Sequence, residues 1–474
     1  MTSAELLELE QAIDRMVELA RGYGLDFYDM RFEVVPADVL YTFGAYQGMP
    51  TRYSHWTFGK FYYRMKVDYD LGLSRIYELV INSDPCYAFL LDNNSLVENK
   101  MVCAHVLAHC DFFKNNAMFK HTPRNMVDSM AASAERFRAY EMQYGKVAVE
   151  EFLDSVLAIQ EHIDPSETAR QQRLIRPSDG DRNEASKDNR RLSPYDDLFS
   201  LDERLSTQQR KEKPRDIVHP QKDLLLFLVH NSKTLTDWQR DVLTVLREEM
   251  LYFWPQIETK VMNEGWATYW HQRIMRELDL TGAEAIDFAR TNAGVTAPSR
   301  MHINPYLLGV KIWEAIEKEY EVPTGDRRDR FHVEGNVGRQ QMFEVREMES
   351  DASFLRNYLT QDLIEELDLF LYQKVGNEWR IVEKDWRKVR DKLCASRTNG
   401  GYPVLYVMDG DYQVAGELYL KHAYEGMELD VKYSEKTLPH VFKLWGRPVH
   451  LETVLEGRNI LFSYDGNRIQ RKFL

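Results

Sequence analysis

The hydrophobic pattern of this chain changes period near residue 370, and no all-helical or all-strand fold accommodates both parts. Side chains return to one face every 3.6 residues on a helix and every second residue on a strand. Before the change, helical spacing runs through an N-terminal segment (Met1 to Ala20), Asn125 to Ile163, Asp223 to Leu280, Ala283 to Arg290, Leu307 to Tyr320 and Ala352 to Asp368. Ile76 to Lys114 is strongly apolar and is also expected to be helical, with an interruption near Asp84-Pro85. After it, short alternating runs are separated by Gly376-Asn377, Asp409-Gly410, Glu425-Gly426, Glu456-Gly457 and Asp465-Gly466. Such dipeptides join antiparallel hairpins; one helix is expected among them, near Lys384 to Cys394. The pattern predicts an α+β protein: a large, mainly helical domain followed by a small C-terminal domain with an antiparallel β-sheet.

Composition adds a second division. Residues 166–221 are dense in Arg, Asp, Ser and Lys and poor in apolar side chains, which predicts a charged, partly disordered connector. The expected order is therefore 1–165, a helical part; 166–221, the connector; 222–370, helices completing the first domain; and 371–474, the α+β domain. The formal net charge of -14 argues against broad contact with nucleic acid or anionic lipid. No apolar run is long enough for a membrane span. The N-terminus is acidic and amphipathic and lacks the basic start and apolar stretch of a signal peptide. Four irregularly spaced cysteines fit free thiols in a reducing compartment.

His105 and His109 stand at i and i+4 on an apolar segment. That spacing stacks two imidazoles on one helical face, as a metal ion requires of two ligands. It equally fits two core histidines satisfied by carbonyls or carboxylates. No glycine-rich phosphate loop, serine nucleophile elbow or CxxC pair is present.

Several longer stretches carry a family likeness: Gly24 to Tyr28, Tyr53 to Lys60 (YSHWTFGK), Tyr77 to Tyr87 (YELVINSDPCY), His105 to Asn116 (HVLAHCDFFKNN) and Asn263 to His271 (NEGWATYWH). In these the chain resembles the stage V sporulation protein R (SpoVR) family. The resemblance implies a cytoplasmic protein needed for spore cortex (peptidoglycan) formation. It also implies partners among other sporulation proteins, including a serine protein kinase and a von Willebrand-type protein.

The Glu264-Gly265-Trp266-Ala267 segment is similar to one that supplies the third ligand in gluzincin-type zinc peptidases. That likeness implies a gluzincin-like domain with His105, His109 and Glu264 holding zinc or a similar divalent metal. It departs at one place: the residue after the first histidine, the general-base Glu of those peptidases, is Val106. A hydrolase then needs a substitute, for which Asp111 and His271 are the catalytic candidates and Glu98 and His302 further ones. The competing expectation is a non-catalytic metal-binding scaffold that recruits partners. His55 and Cys110 are weaker candidates, and Lys114, Asn115 and Asn116 read as a helix C-terminus.

Overall fold

Thr2 starts the first helix by a reciprocal cap: its hydroxyl accepts from the Glu5 N–H, and the Glu5 carboxylate accepts from the Thr2 N–H. Such boxes satisfy donors that the first turn of a helix leaves open. The computed structural model describes residues 1–71, 78–166, 220–299, 302–322, 335–375 and 378–474. Helix α1 (Ser3–Gly22) buries Leu9, Met16 and Ala20 along one face. Strand β1 (Met30–Val35), helices α2 (Ala37–Ala45) and α3 (Trp56–Asp70), and strands β2 (Glu78–Ile81) and β3 (Cys86–Leu91) follow.

These strands correct the expectation of helix from Ile76 onward. They form a sheet of order β1-β3-β2, with β1 parallel and β2 antiparallel to β3. Four- to six-residue apolar runs carry too few periods to separate a buried strand from a helix. Helix begins only at α4 (Leu96–Asn115), where Ser95 and Glu98 form a second capping box. This helix is buried on nearly every side, from Val97 through Phe113. It ends at Asn115 with Asn116 as C-cap, where the sequence placed its terminus.

Helices α5 (Met126–Tyr144) and α6 (Lys146–Leu157) are separated by Gly145, which takes φ 91°. Most of the connector expected over 166–221 lies outside the described residues. Then come α7 (Leu224–Asn231), α8 (Asp237–Glu258, with Pro255 in its last turn), α9 (Lys260–Glu277), α10 (Gly282–Val295) and α11 (Pro305–Glu321). A helix absent from the sequence expectation, α12 (Gly338–Met348), precedes α13 (Asp351–Tyr358) and α14 (Gln361–Glu366). The last two replace the single helix expected over Ala352 to Asp368, because Thr360 caps a new start. Strands β4 (Leu371–Val375) and β5 (Glu378–Glu383) form a hairpin, and α15 (Trp386–Ala395) follows.

Two compact units result, and the first is discontinuous in sequence: Met1–Leu153 with Glu248–Tyr402. Its main core is built around α4, α9 and α11. Residues 371–402, expected with the C-terminal domain, group here because Val389, Leu393 and Cys394 join that core. Helices α9 and α11 cross backbone to backbone at Gly265 and Gly309: a β-carbon on Gly265 would lie 2.3 Å from the Gly309 carbonyl carbon.

The second unit comprises Asp154–Arg247 and Pro403–Leu474. Strands β6 (Leu405–Tyr412), β7 (Glu417–His422), β8 (Val449–Leu455), β9 (Arg458–Tyr464) and β10 (Ile469–Phe473) line up in the order β10-β9-β8-β7-β6. All pairs are antiparallel except β7 and β8, so the sheet is mixed and not purely antiparallel. The parallel pair needs a crossover, supplied by α16 (Val431–Trp445). Two turn dipeptides behave as expected, Glu456-Gly457 and Asp465-Gly466 lying at hairpin reversals with positive φ at their glycines. Asp409-Gly410 does not: it lies inside β6, and the chain reverses at Gln413 and Val414, both with positive φ. Among the described residues no helix is long and apolar enough to cross a membrane.

Candidate metal centre

The helical period brings His105 and His109 to one side of α4, with ring centroids 4.5 Å apart and planes at 88°. Helix α9 faces them and presents Glu264. Its Oε2 lies 3.6 Å from the Nε2 of His105 and 3.6 Å from the Nε2 of His109. One ligating atom from each of the three residues can be chosen so that all lie within 4.8 Å of one another. Both histidines are buried, and Glu264 keeps 19% of its side-chain surface exposed.

The hydrogen bonds behind the imidazoles fix where their protons are. His109 Nδ1 is 2.9 Å from the Oδ1 of Asn263, an atom that only accepts, so His109 carries its proton on Nδ1. His271 Nε2 is 2.9 Å from Asn292 Oδ1 and is a donor for the same reason. Burial, then the neighbouring His105, push the His271 imidazole down to about 3, so it is neutral and its Nδ1 is an acceptor. That nitrogen lies 2.9 Å from His105 Nδ1, which therefore donates. Both ligand candidates consequently turn their Nε2 atoms toward Glu264.

Protonation does not relieve this convergence. Burial above all pushes His109 down to about 4. Burial pushes the Glu264 carboxyl up, but the facing imidazoles outweigh it and hold the group below its ordinary value, hence ionised at neutral pH. At 3.6 Å the contacts are also too long for hydrogen bonds. His105 Nε2 and Glu264 Oε2 are buried polar atoms without any hydrogen-bond partner. A carboxylate and two imidazole nitrogens that converge without a hydrogen bond among them are what a divalent cation satisfies, and each imidazole is already oriented by its other nitrogen, as metal-bound histidines are. The donor set of two imidazoles and one carboxylate fits zinc and leaves a further coordination position.

The Glu-Gly-Trp-Ala segment reads physically at each position. Glu264 faces the histidines; Gly265 permits the close crossing with α11; Trp266 is fully buried and donates its Nε1–H to Asp111 Oδ2 at 2.9 Å.

Asp111 is enclosed. Besides Trp266 it accepts from the Arg346 guanidinium at 2.7 Å, the Asp26 N–H at 2.8 Å and the Asn115 amide at 3.3 Å. Burial raises its carboxyl to about 6 despite Arg346. His271 is brought to the cluster and bonded to His105, as described. The remaining candidates stand elsewhere. Glu98 accepts from the Ser95 N–H at 2.7 Å as part of its cap. His302 is exposed and lines a cavity of about 220 Å³ with Phe370, Tyr372 and Trp379. His55 caps α3 through Thr57. Val106 is buried in the core. Asn263 and Asn292 were not singled out by the sequence; Asn263 was at least legible as the residue before Glu264, while nothing marks Asn292.

Comparison with known proteins divides the chain at one point. The description "SpoVR like protein" matches residues 3–402, and "SpoVR-like C-terminal domain" matches 403–456. The chain belongs to the SpoVR family. The junction between the two SpoVR regions coincides with the boundary between Tyr402 and Pro403. The chain is 29% identical over 486 residues to "Uncharacterized protein YcgB" of Escherichia coli (strain K12), with 96% of this chain and 93% of that one covered. No solved structure matches. SpoVR membership points to a role in sporulation.

Proposed function

We propose that this SpoVR protein is a divalent-metal-dependent enzyme acting in spore cortex formation, a hydrolase with a gluzincin-like arrangement of His105, His109 and Glu264. The observation that carries the metal is the convergence of two imidazole nitrogens and a carboxylate oxygen, two of these atoms buried and without hydrogen-bond partners. A divalent ion held there supplies a Lewis acid. The protein's own groups hold the ligands in place: Asn263 orients His109, Asn292 orients His271, and His271 orients His105. The Trp266–Asp111–Arg346 linkage ties α9, α4 and α12 together behind them. This makes Asp111 a positioning residue in our reading, and leaves His271 as the group nearest the ligands able to exchange a proton.

A specific observation favours a second reading, the non-catalytic scaffold. The position of the usual general base is Val106, and both nitrogens of His271 and both oxygens of Asp111 are already bonded. On that reading the metal supports the fold, and the partners implied by the family are a serine protein kinase and a von Willebrand-type protein.

Metal analysis of protein purified without chelator tests the shared part. About one equivalent of zinc or a similar ion is expected in the wild type, and very little in His105→Ala or Glu264→Gln. A metal-free wild type would remove the centre from both readings. To separate them, His271→Gln is assayed for cortex formation. An enzyme loses activity with metal content and thermal stability retained; a scaffold keeps function for as long as it keeps both.

A further inference from the structure

Behind the ligand His109, the next residue of α4 faces another thiol. The Cys110 S–H donates to the Cys86 sulfur, with the two Sγ atoms 3.0 Å apart. Cys86 in turn donates to the Ser83 carbonyl at 3.0 Å. Both side chains are buried. Cys86 opens β3 directly after the turn through Asp84, whose side chain is exposed. The other described cysteines, Cys103 and Cys394, are buried and form no disulfide.

We propose that Cys86 and Cys110 are a redox-active pair that peroxide converts to a disulfide linking α4 to the start of β3. The geometry needs little change: closing from 3.0 Å to the bond length of about 2.05 Å is a movement of about 1 Å. The chemistry balances with hydrogen peroxide as oxidant. The Cys86 sulfur attacks one peroxide oxygen; the S–O bond forms, the O–O bond breaks and hydroxide leaves, taking the thiol proton as water. The Cys110 sulfur then attacks the sulfenic sulfur; the S–S bond forms, the S–O bond breaks and a second water leaves with the Cys110 proton. Two thiols lose two electrons to one peroxide. The hydrogen bond from Cys110, with Arg124 near, outweighs burial and holds the Cys86 thiol below its ordinary value, which suits it to attack first.

The consequence reaches the ligand cluster, because α4 carries Cys110 and His109 as neighbours. Drawing Cys110 toward β3 shifts His109 relative to Glu264 on α9. This last step rests on the metal reading; the disulfide itself does not.

The test treats the full chain, stripped of metal with chelator, with hydrogen peroxide, alkylates remaining thiols and maps peptides by mass spectrometry. The expected result is loss of the two hydrogens of one disulfide, a cross-linked Cys86–Cys110 peptide, and two alkylated thiols at Cys103 and Cys394. Cys86→Ser should abolish the cross-link, and Cys103→Ser should leave it intact. Four alkylated thiols, sulfinic acid at either residue, or a link through Cys103 or Cys394 would each overturn the proposal. In a second arm, zinc affinity of the oxidised protein is compared with that of the reduced protein, with Cys86→Ser treated in the same way. A fall of about tenfold confined to the oxidised wild type is expected. Equal affinities alongside a mapped cross-link overturn the coupling, and zinc binding to neither form overturns the metal reading while the disulfide stands.

Discussion

Gly265→Ala should destabilise the first unit and loosen its candidate metal centre together. The added β-carbon would lie 2.3 Å from the Gly309 carbonyl carbon, 2.4 Å from Gly309 Cα and 2.8 Å from the Val310 nitrogen. These are backbone atoms, so no side chain can rotate away. Ordinary contact for such a carbon begins at 3.4 Å, so α9 and α11 must separate by about 1 Å at their crossing. Overpacking of this kind costs about 1–3 kcal/mol, and the better helix propensity of alanine returns at most about 1 kcal/mol. A net loss of roughly 2 kcal/mol lowers Tm by roughly 5 °C. Glu264 is the adjacent residue, so the same displacement reaches a candidate ligand. Thermal and urea unfolding, run in chelator and in zinc, measure both effects: the mutant should lose stability in chelator and gain less from zinc than the wild type. Gly59→Ala is the control, since Gly59 lies in α3 with nothing within 4 Å of its would-be β-carbon. If Gly265→Ala proved as stable as Gly59→Ala, the helices would not meet backbone to backbone and the reasoning would fail.

Three other perturbations probe separate parts of the unit. Asn263→Ala leaves all three candidate ligands in place but removes the orientation of His109, and should weaken zinc binding about 10- to 100-fold by equilibrium competition; unchanged affinity would contradict the proton assignment drawn from Asn263. Arg52→Met strands Glu249, its buried partner, and should cost about 3–5 kcal/mol in urea unfolding, most of it recovered in Arg52→Met/Glu249→Leu; a single mutant milder than the double one would show that the pair is not buried together. Burial raises the Asp351 carboxyl from 3.8 to about 7, against the Val261 and Met262 N–H groups that donate to it. The native state therefore holds a proton that the unfolded chain has released, and wild-type stability relative to Asp351→Asn should fall as pH rises from about 4 to 7. A rise over that window would mean that the two N–H donors outweigh burial.

The sequence carried the ligand helix well and its surroundings poorly. His105 and His109 were legible because one turn of helix is a local rule, and their segment is long enough to show its period. Glu264 sits far along the chain and became visible only through the pattern of its neighbours. Asn292 holds His271 through tertiary contact alone, so no spacing announces it. Strand β3 failed for the opposite reason: Cys86–Leu91 is apolar at nearly every position and buried at five of six, so it shows no alternation. Helix α16 was missed because Pro439 interrupts its pattern and turn signals flank it. Asp409-Gly410 was read as a reversal, but register shifts in β6 absorb it within the strand.

The discontinuity of the first unit bears on how the chain is made. Helix α4 is buried almost all round, yet partners that cover it, α9, α10 and α12, are translated much later. At about 5–20 residues per second, the stretch between His109 and Tyr402 takes roughly 15–60 s to emerge. Until Met348 is out, a helix bearing Val102, Val106, Leu107, Phe112 and Phe113, all buried in the finished fold, lacks at least one of those three helices. Nascent chains should therefore be a strong client for a ribosome-associated chaperone from about the emergence of Phe113 until α12 is out. Cells depleted of such a chaperone should accumulate this protein as aggregate before any mutation has touched its native stability.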